Sequence, residues 1–249
     1  MQYIILTIIF IYGAIFGSFF NVVILRTPKH ESLIHESSHC PKCNTHIKAY
    51  DLIPIFSFFI LGGKCRHCKS PISWRYPLIE MITALCFVWV YLVYGFTYPT
   101  LIGLILVSIL IIITVIDLDT LEILDRFQIM LLILAIFNLF ISPLSLIEHG
   151  IGFFIISIPF FIIAYVTGGI GGGDIKLIAN TGLLLGYKAT LVAFFIASIL
   201  GGLVAVYLLV TKQKERKSLI AFGPYLCIGI FLAYLYGNQI YNWYLNFFN

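Results

Sequence analysis

The sequence predicts an all-α polytopic membrane protein with about eight transmembrane helices and a small polar insertion after the first. Three observations predict it. The 249 residues are 61% hydrophobic and only 10% charged. Charge-free stretches recur at about the 20 residues needed to cross a hydrocarbon core of about 30 Å. Most basic residues fall in two short segments. The net charge of +4 therefore reads as membrane topology rather than a nucleic-acid surface.

Met1–Leu25 carries no charge and is followed by Arg26. It lacks the basic region that precedes the apolar part of a cleaved signal peptide, so it is read as a retained first span. Residues 26–75 form the one polar piece, too small to bury much core alone. Met81–Ile116 is uncharged but broken at "YGFTYP" (94–99), where Gly95 and Pro99 mark a turn between two helices. Phe127–Ile147, Gly150–Gly173 and Ala189–Thr211 are further charge-free spans. The tail from Ser218 supplies a last helix opened by "FGPY" (222–225), starting near Ile220 or Tyr225, with Tyr and Trp suited to an interface.

Parity resolves Ile175–Val210, interrupted only by "GYK" (186–188). Residues 26–75 hold eight Lys/Arg and "TKQKERKS" (211–218) holds four, and the positive-inside rule puts both in the cytoplasm. That requires a short helix to Leu185 and another from Ala189, giving eight spans with the amino terminus outside. A helix of some twelve residues reaches only about 18 Å, so its neighbours must shield it. The organisation is a first helix (1–25), a cytoplasmic module (26–75) and a membrane core (76–249).

The module contains "CPKC" (40–43) and "CRHC" (65–68), separated by 21 residues. Two such knuckles supply the four thiolates of a tetrahedral Zn²⁺ site, so Cys40, Cys43, Cys65 and Cys68 are the candidate ligands of a structural zinc. Lys42, Lys64, Arg66 and Lys69 lower the thiol pKa values and offset the charge of the cage. Two disulfides are the alternative, disfavoured by a reducing cytoplasm. His39 and His67 flank the knuckles as alternative ligands. A basic knuckle also suits nucleic acid, but clustered aromatics are missing and topology explains the charge. Cys86 and Cys227, within spans, read as small hydrophobes.

Carboxylates at membrane depth are costly unless paired or hydrated, and point to function. The candidates are Glu80, Asp117, Asp119, Glu122, Asp125 and Asp174. The topology places "DLDTLEILDR" (117–126) and "GGGD" (171–174) at the cytoplasmic ends of spans, at one depth. Gly171, Gly172 and Gly173 permit close approach of another chain to Asp174. Two Asp residues sharing a site do not both ionise, so one accepts a proton from water while the other donates to a carbonyl.

The stretches "GSFFNVVILR" (17–26), "CPKC", "GGKCRHC" (62–68), "ISWRYPLIE" (72–80), "IDLDTLEILD" (116–125) and "GGGDIK" (171–176) together resemble the type 4 prepilin leader peptidases. These are bifunctional peptidases and N-methyltransferases among the G-x-G-D membrane aspartyl proteases. The resemblance implies that Asp117 and Asp174 are the catalytic pair, with Gly171, Gly172, Gly173 and Lys176 in the active-site loop. It further implies cleavage of a basic leader from prepilins or pseudopilins at the cytoplasmic face of a bacterial inner or plasma membrane. Methylation of the new amino terminus by S-adenosylmethionine follows in many members, with Gly63, Lys64 and Glu80 as candidates here. Two departures stand out: Ile123-Leu124-Asp125 replaces the family's Leu-Pro-Asp, and Asp51-Leu52-Ile53-Pro54 its Asp-Asn-Ile-Pro. Asp117, Asp119, Glu122 and Asp125 form an acidic edge suited to a basic leader, whose apolar helix packs beside the spans.

Two other classes compete. A proton- or ion-coupled transporter also uses paired carboxylates, but is expected to hold them near the midplane within inverted repeats. A non-catalytic scaffold organised by zinc would tolerate Asn at both Asp positions.

Overall fold

The computed structural model describes residues 2–33, 38–211 and 221–248. The basic run at 212–218, on which half of the topology argument rests, lies outside them. The described residues are helical, with two isolated bridges and no strand.

Five helices are long and apolar enough to cross a membrane. They are α1 (Gln2–Arg26), α3 (Arg75–Tyr94), α4 (Tyr98–Thr120), α6 (Leu146–Thr167) and α8 (Tyr187–Val210). The expected count of eight is therefore not reached on length and composition. The shortfall has identifiable causes. Helices α5 (Asp125–Leu139) and α7 (Gly172–Leu185) have 15 and 14 residues, reaching about 21–23 Å at 1.5 Å per residue. Helix α9 (Gly223–Phe248) is long enough, but Tyr, Asn and Gln dilute its apolar character.

Two expected boundaries also shift. The charge-free stretch 127–147 does not form one helix: α5 stops at Leu139 and α6 starts at Leu146, before rather than after the charged pair Glu148-His149. Counting charges misplaces this boundary because Glu148 serves the helix start. Ser145 and Glu148 form a reciprocal capping box, satisfying backbone donors that a helix start otherwise leaves orphaned. The breaks at 94–98 and at Gly186 fall where the sequence puts them.

The chain divides into two compact units, Met1–Ile112 and Ile113–Asn249. In the first, α1 packs against α3 through small residues. A Cβ on Gly17 would lie 2.7 Å from the Glu80 Cα, and one on Gly13 2.6 Å from the Ala84 Cα. Such residues let backbones approach where lipid provides no hydrophobic drive between helices. The polar module, including the short α2 (Phe56–Ile60), follows α1.

In the second unit, α7 packs on α5, α6, α8 and α9, as a helix too short for the bilayer requires. Side chains on its neighbours satisfy its carbonyls. Gln128 donates to Gly173 O (3.0 Å), Asn138 to Leu184 O (3.0 Å), and the His149 Nδ1 lies 2.7 Å from Leu183 O. Asn180 returns bonds to the Gln128 carbonyl and side chain at 3.1 and 3.2 Å. At the α6–α7 crossing, Gly152 and Gly182 face each other so closely that a Cβ on either overlaps the other's carbonyl oxygen. Gly182→Ala is accordingly expected to cost about 1–3 kcal/mol through overpacking, read as a lower thermal midpoint in detergent.

Candidate active site

Both candidate acids lie in the second unit, at helix ends. Asp117 occupies the last turns of α4 and is 5% exposed. The helix is stopped by Leu121, at φ 57°, whose N–H bonds to the Asp117 carbonyl at 2.9 Å. Asp174 sits in the first turn of α7, whose N-cap is Gly171.

Each carboxylate retains one buried oxygen, Asp117 Oδ2 and Asp174 Oδ1, with no hydrogen-bond donor among the described residues. Ile123 packs beside two glycines, Gly173 next to Asp174 and Gly223 at the start of α9. A Cβ on Gly173 would lie 2.9 Å from the Ile123 Cβ, and one on Gly223 3.2 Å from its Cδ1. Ile123, one of the departures from the family pattern, thus fills the space between the two glycine-bearing helix starts.

Gly223 is the residue that sequence reasoning missed. A Cβ there would stand 2.5 Å from Asp117 Oδ2, and the Gly223 backbone N–H interacts with that carboxylate. "FGPY" signals only a helix start, and nothing in the local pattern links it to an acid over a hundred positions earlier. Cys227, read as a small hydrophobe, is 2% exposed. The polar residues Gln128, Asn138 and Asn180 were readable in principle, because polar side chains within spans require partners.

Other expected residues have different surroundings. Lys176 pairs with Asp125 at 2.6 Å, with both side chains more than half exposed. Such a pair contributes about 1 kcal/mol or less, so Lys176→Gln is expected to leave the thermal midpoint within a degree or two. Asp119 and Glu122 are exposed. In the first unit, Glu80 is buried and accepts the Ile55 N–H at 2.6 Å, with Ser18 as a second donor. Gly63 lies against the Phe58 ring and Lys64 is exposed.

The four thiols of Cys40, Cys43, Cys65 and Cys68 lie within 4.8 Å of one another, and none is disulfide-bonded. Each knuckle repeats one geometry. Cys40 N–H bonds to Thr45 O and Cys65 N–H to Ser70 O, and Asn44 and Lys69 both stand at φ 57°. The backbone N–H groups of Cys43 and Lys42 lower the Cys40 thiol to about 6, as a metal-binding thiolate requires. This cluster is suited to a metal ion, and His39 and His67 are not part of it.

Five apolar helices of spanning length and a four-cysteine cluster define the class: a multi-pass membrane protein with a candidate metal site and two acids with buried carboxylate oxygens at helix ends. Residues 11–94 match the bacterial peptidase A24 N-terminal domain, and residues 104–206 the type IV leader peptidase family. A Bacillus subtilis (strain 168) protein named prepilin leader peptidase/N-methyltransferase is 36% identical, covering 96% of this chain and 98% of its own. Proteins of the same name from Aeromonas hydrophila (33% identical; 97% and 94% covered) and Neisseria gonorrhoeae (34%; 94% and 92%) are also similar. The chain belongs to the type IV leader peptidase family. No solved structure matches it.

Proposed function

We propose that Asp117 and Asp174 form the catalytic dyad of a membrane aspartyl endopeptidase that removes the basic leader from type IV prepilins or pseudopilins. The observation that carries this reading is the pair of buried, unpartnered carboxylate oxygens at two helix ends. One carboxylate takes a proton from water as its oxygen attacks the scissile carbonyl. The other, protonated, donates to the carbonyl oxygen, and the leaving amine receives a proton as the C–N bond breaks. The titration belongs to the pair rather than to either residue. Gly171, Gly172 and Gly173 leave room for an extended substrate strand beside Asp174. Asp119 and Glu122 provide an exposed negative rim for the leader, beside the Asp125–Lys176 pair. Acids at helix ends rather than mid-span weigh against the transporter alternative.

Eight crossings, with α5, α7 and α9 shielded by neighbours, a cytoplasmic module at 26–75 and the dyad at the cytoplasmic face, are part of the same proposal. It rests on the basic residues of the first loop. The metal is zinc, in a structural role. At a Zn–S distance of about 2.3 Å, tetrahedral ligands stand about 3.8 Å apart, and the Cys40 and Cys68 Sγ atoms are 3.8 Å apart. The purified chain is expected to hold one zinc per molecule by elemental analysis. Cys65→Ser is expected to lose that zinc and to lower the thermal midpoint. S-adenosylmethionine supplies the methyl group for the new amino terminus, with Gly63, Lys64 and Glu80 as the candidate residues in this chain. Their present contacts point to positioning: Glu80 is engaged by Ile55 and Ser18.

The test uses the full chain in lipid nanodiscs with a peptide carrying a basic leader and an apolar helix, followed by mass. Leader loss supports the peptidase, and a further methyl mass on the mature fragment with S-adenosylmethionine supports the second activity. An intact peptide across several such substrates refutes the reading.

A further inference from the structure

The first unit exposes an apolar surface that neither the dyad nor the metal cluster uses. Phe56, Phe59 and Ile60 of α2 are 66%, 60% and 77% exposed, beside Trp74 at 66%. Phe58 and Phe59 pack on the Trp74 ring at centroid distances of 4.6 and 6.1 Å. This surface does not stand alone. Along the spanning helix α3, the exposed side chains Leu78, Ile82, Leu85, Trp89 and Leu92 recur at the three- and four-residue spacing of a single helical face. Trp74, immediately before α3, continues that stripe upward, and α2 continues it further.

A second observation ties the turn before α2 to the early part of the spanning helix. The Ile55 N–H donates to the buried Glu80 carboxylate, five residues along α3 from Arg75. The Glu80 Cα is about 7.5 Å along the helix from Arg75, and its side chain leans back towards the helix start. Ile55 holds φ 64° and ψ −57°, a conformation that a β-branched side chain avoids. The turn is thus held by its anchor on Glu80 rather than by its own preference. The residue that follows it is exposed Phe56. Exposed Lys64 and Lys69 lie on the knuckle that follows α2.

We propose that residues 53–60 form an aromatic wedge inserted into the cytoplasmic leaflet, so that the cysteine module is held against the lipid surface and does not project freely into solvent. The partner is the lipid itself. The patch is continuous with a lipid-facing stripe, is anchored on the early part of the spanning helix, and is built from the aromatic types that favour the headgroup region. Neighbouring lysines match anionic headgroups. This proposal is independent of the dyad assignment.

The test places a single Trp in the wedge. The full chain with Phe59→Trp, Trp74→Phe, Trp89→Phe and Trp243→Phe is reconstituted in nanodiscs of phosphatidylglycerol and phosphatidylcholine. Lipids brominated near the headgroup or deep in the acyl chain act as quenchers. The expected result is quenching stronger from shallow than from deep bromines, with shielding from aqueous acrylamide. A chain retaining only Trp89 serves as the within-span control. Acrylamide quenching without bromine quenching at position 59, while Trp89 responds to bromine, overturns the proposal and leaves the patch to a protein partner or a second copy. A wild-type arm needs no substitution: headgroup-proximal photoactivatable lipids are expected to label peptide 53–60. Adducts confined to α1 and α3 overturn it equally.

Discussion

Asp117→Asn and Asp174→Asn are each expected to reduce leader cleavage by about 10³-fold or more, in chains that reach normal abundance in the membrane. Asn keeps the shape of the side chain but neither accepts a proton from water nor donates one to a carbonyl with carboxylic-acid strength. As members of the proposed dyad the two carboxylates would act as a unit, so the double variant is expected to be no worse than either single variant, the non-additivity typical of cooperating catalytic groups. Both substitutions replace carboxylates whose buried oxygens lack a protein donor, so stability is expected to hold or rise. The measurement is leader loss by mass at matched enzyme abundance. An Asp117 or Asp174 variant that cleaves at the wild-type rate removes that residue from the dyad and moves attention to Asp119 or Asp125.

Gly223→Ala is expected to reduce cleavage about 10²-fold, the scale of a displacement of about 1 Å at a reacting group. The new methyl would lie 2.5 Å from Asp117 Oδ2 and 3.1 Å from its Cγ, with Ile123 Cδ1 at 3.2 Å on another side. Ile123 already packs against Gly173 in the glycine loop, so it has little room to yield. The carboxylate must turn instead. Gly202→Ala in α8, where nothing lies within 4 Å of the added methyl, is the control and is expected to cleave normally. If Gly223→Ala and Gly202→Ala cleave equally well, Gly223 does not position Asp117. A matching loss in both would point to a general effect of packing on these helices.

Residue order alone dictates the elements whose signals are local. Long charge-free runs make α1, α3, α4, α6 and α8, because unpaired charge is expelled from hydrocarbon whatever the neighbours are. The breaks at Gly95 and Gly186 are equally local, since glycine at positive φ ends a helix through its own backbone. The cysteine cluster was legible from two C-x-x-C pairs, because ligand spacing is a property of the turn. Asp117 and Asp174 stood out because so few acids interrupt the apolar sequence.

Other features depend on contacts between residues distant in the chain, and only the folded structure decides them. The start of α6 before Glu148 follows from a capping box that turns a charge into a cap. Helix α7 tolerates 14 residues because Gln128, Asn138 and His149 reach its carbonyls from two other helices. Gly223 is brought to Asp117 by the packing of α9, and its role lies in the side chain it lacks. Glu80, a methyltransferase candidate by resemblance, also accepts the Ile55 N–H across 25 positions, a contact that only the fold reveals. Hydrophobicity and turn chemistry act over a few residues and can be read along the chain. Close approach and hydrogen-bond satisfaction act across space, and tertiary packing alone determines which residues share them.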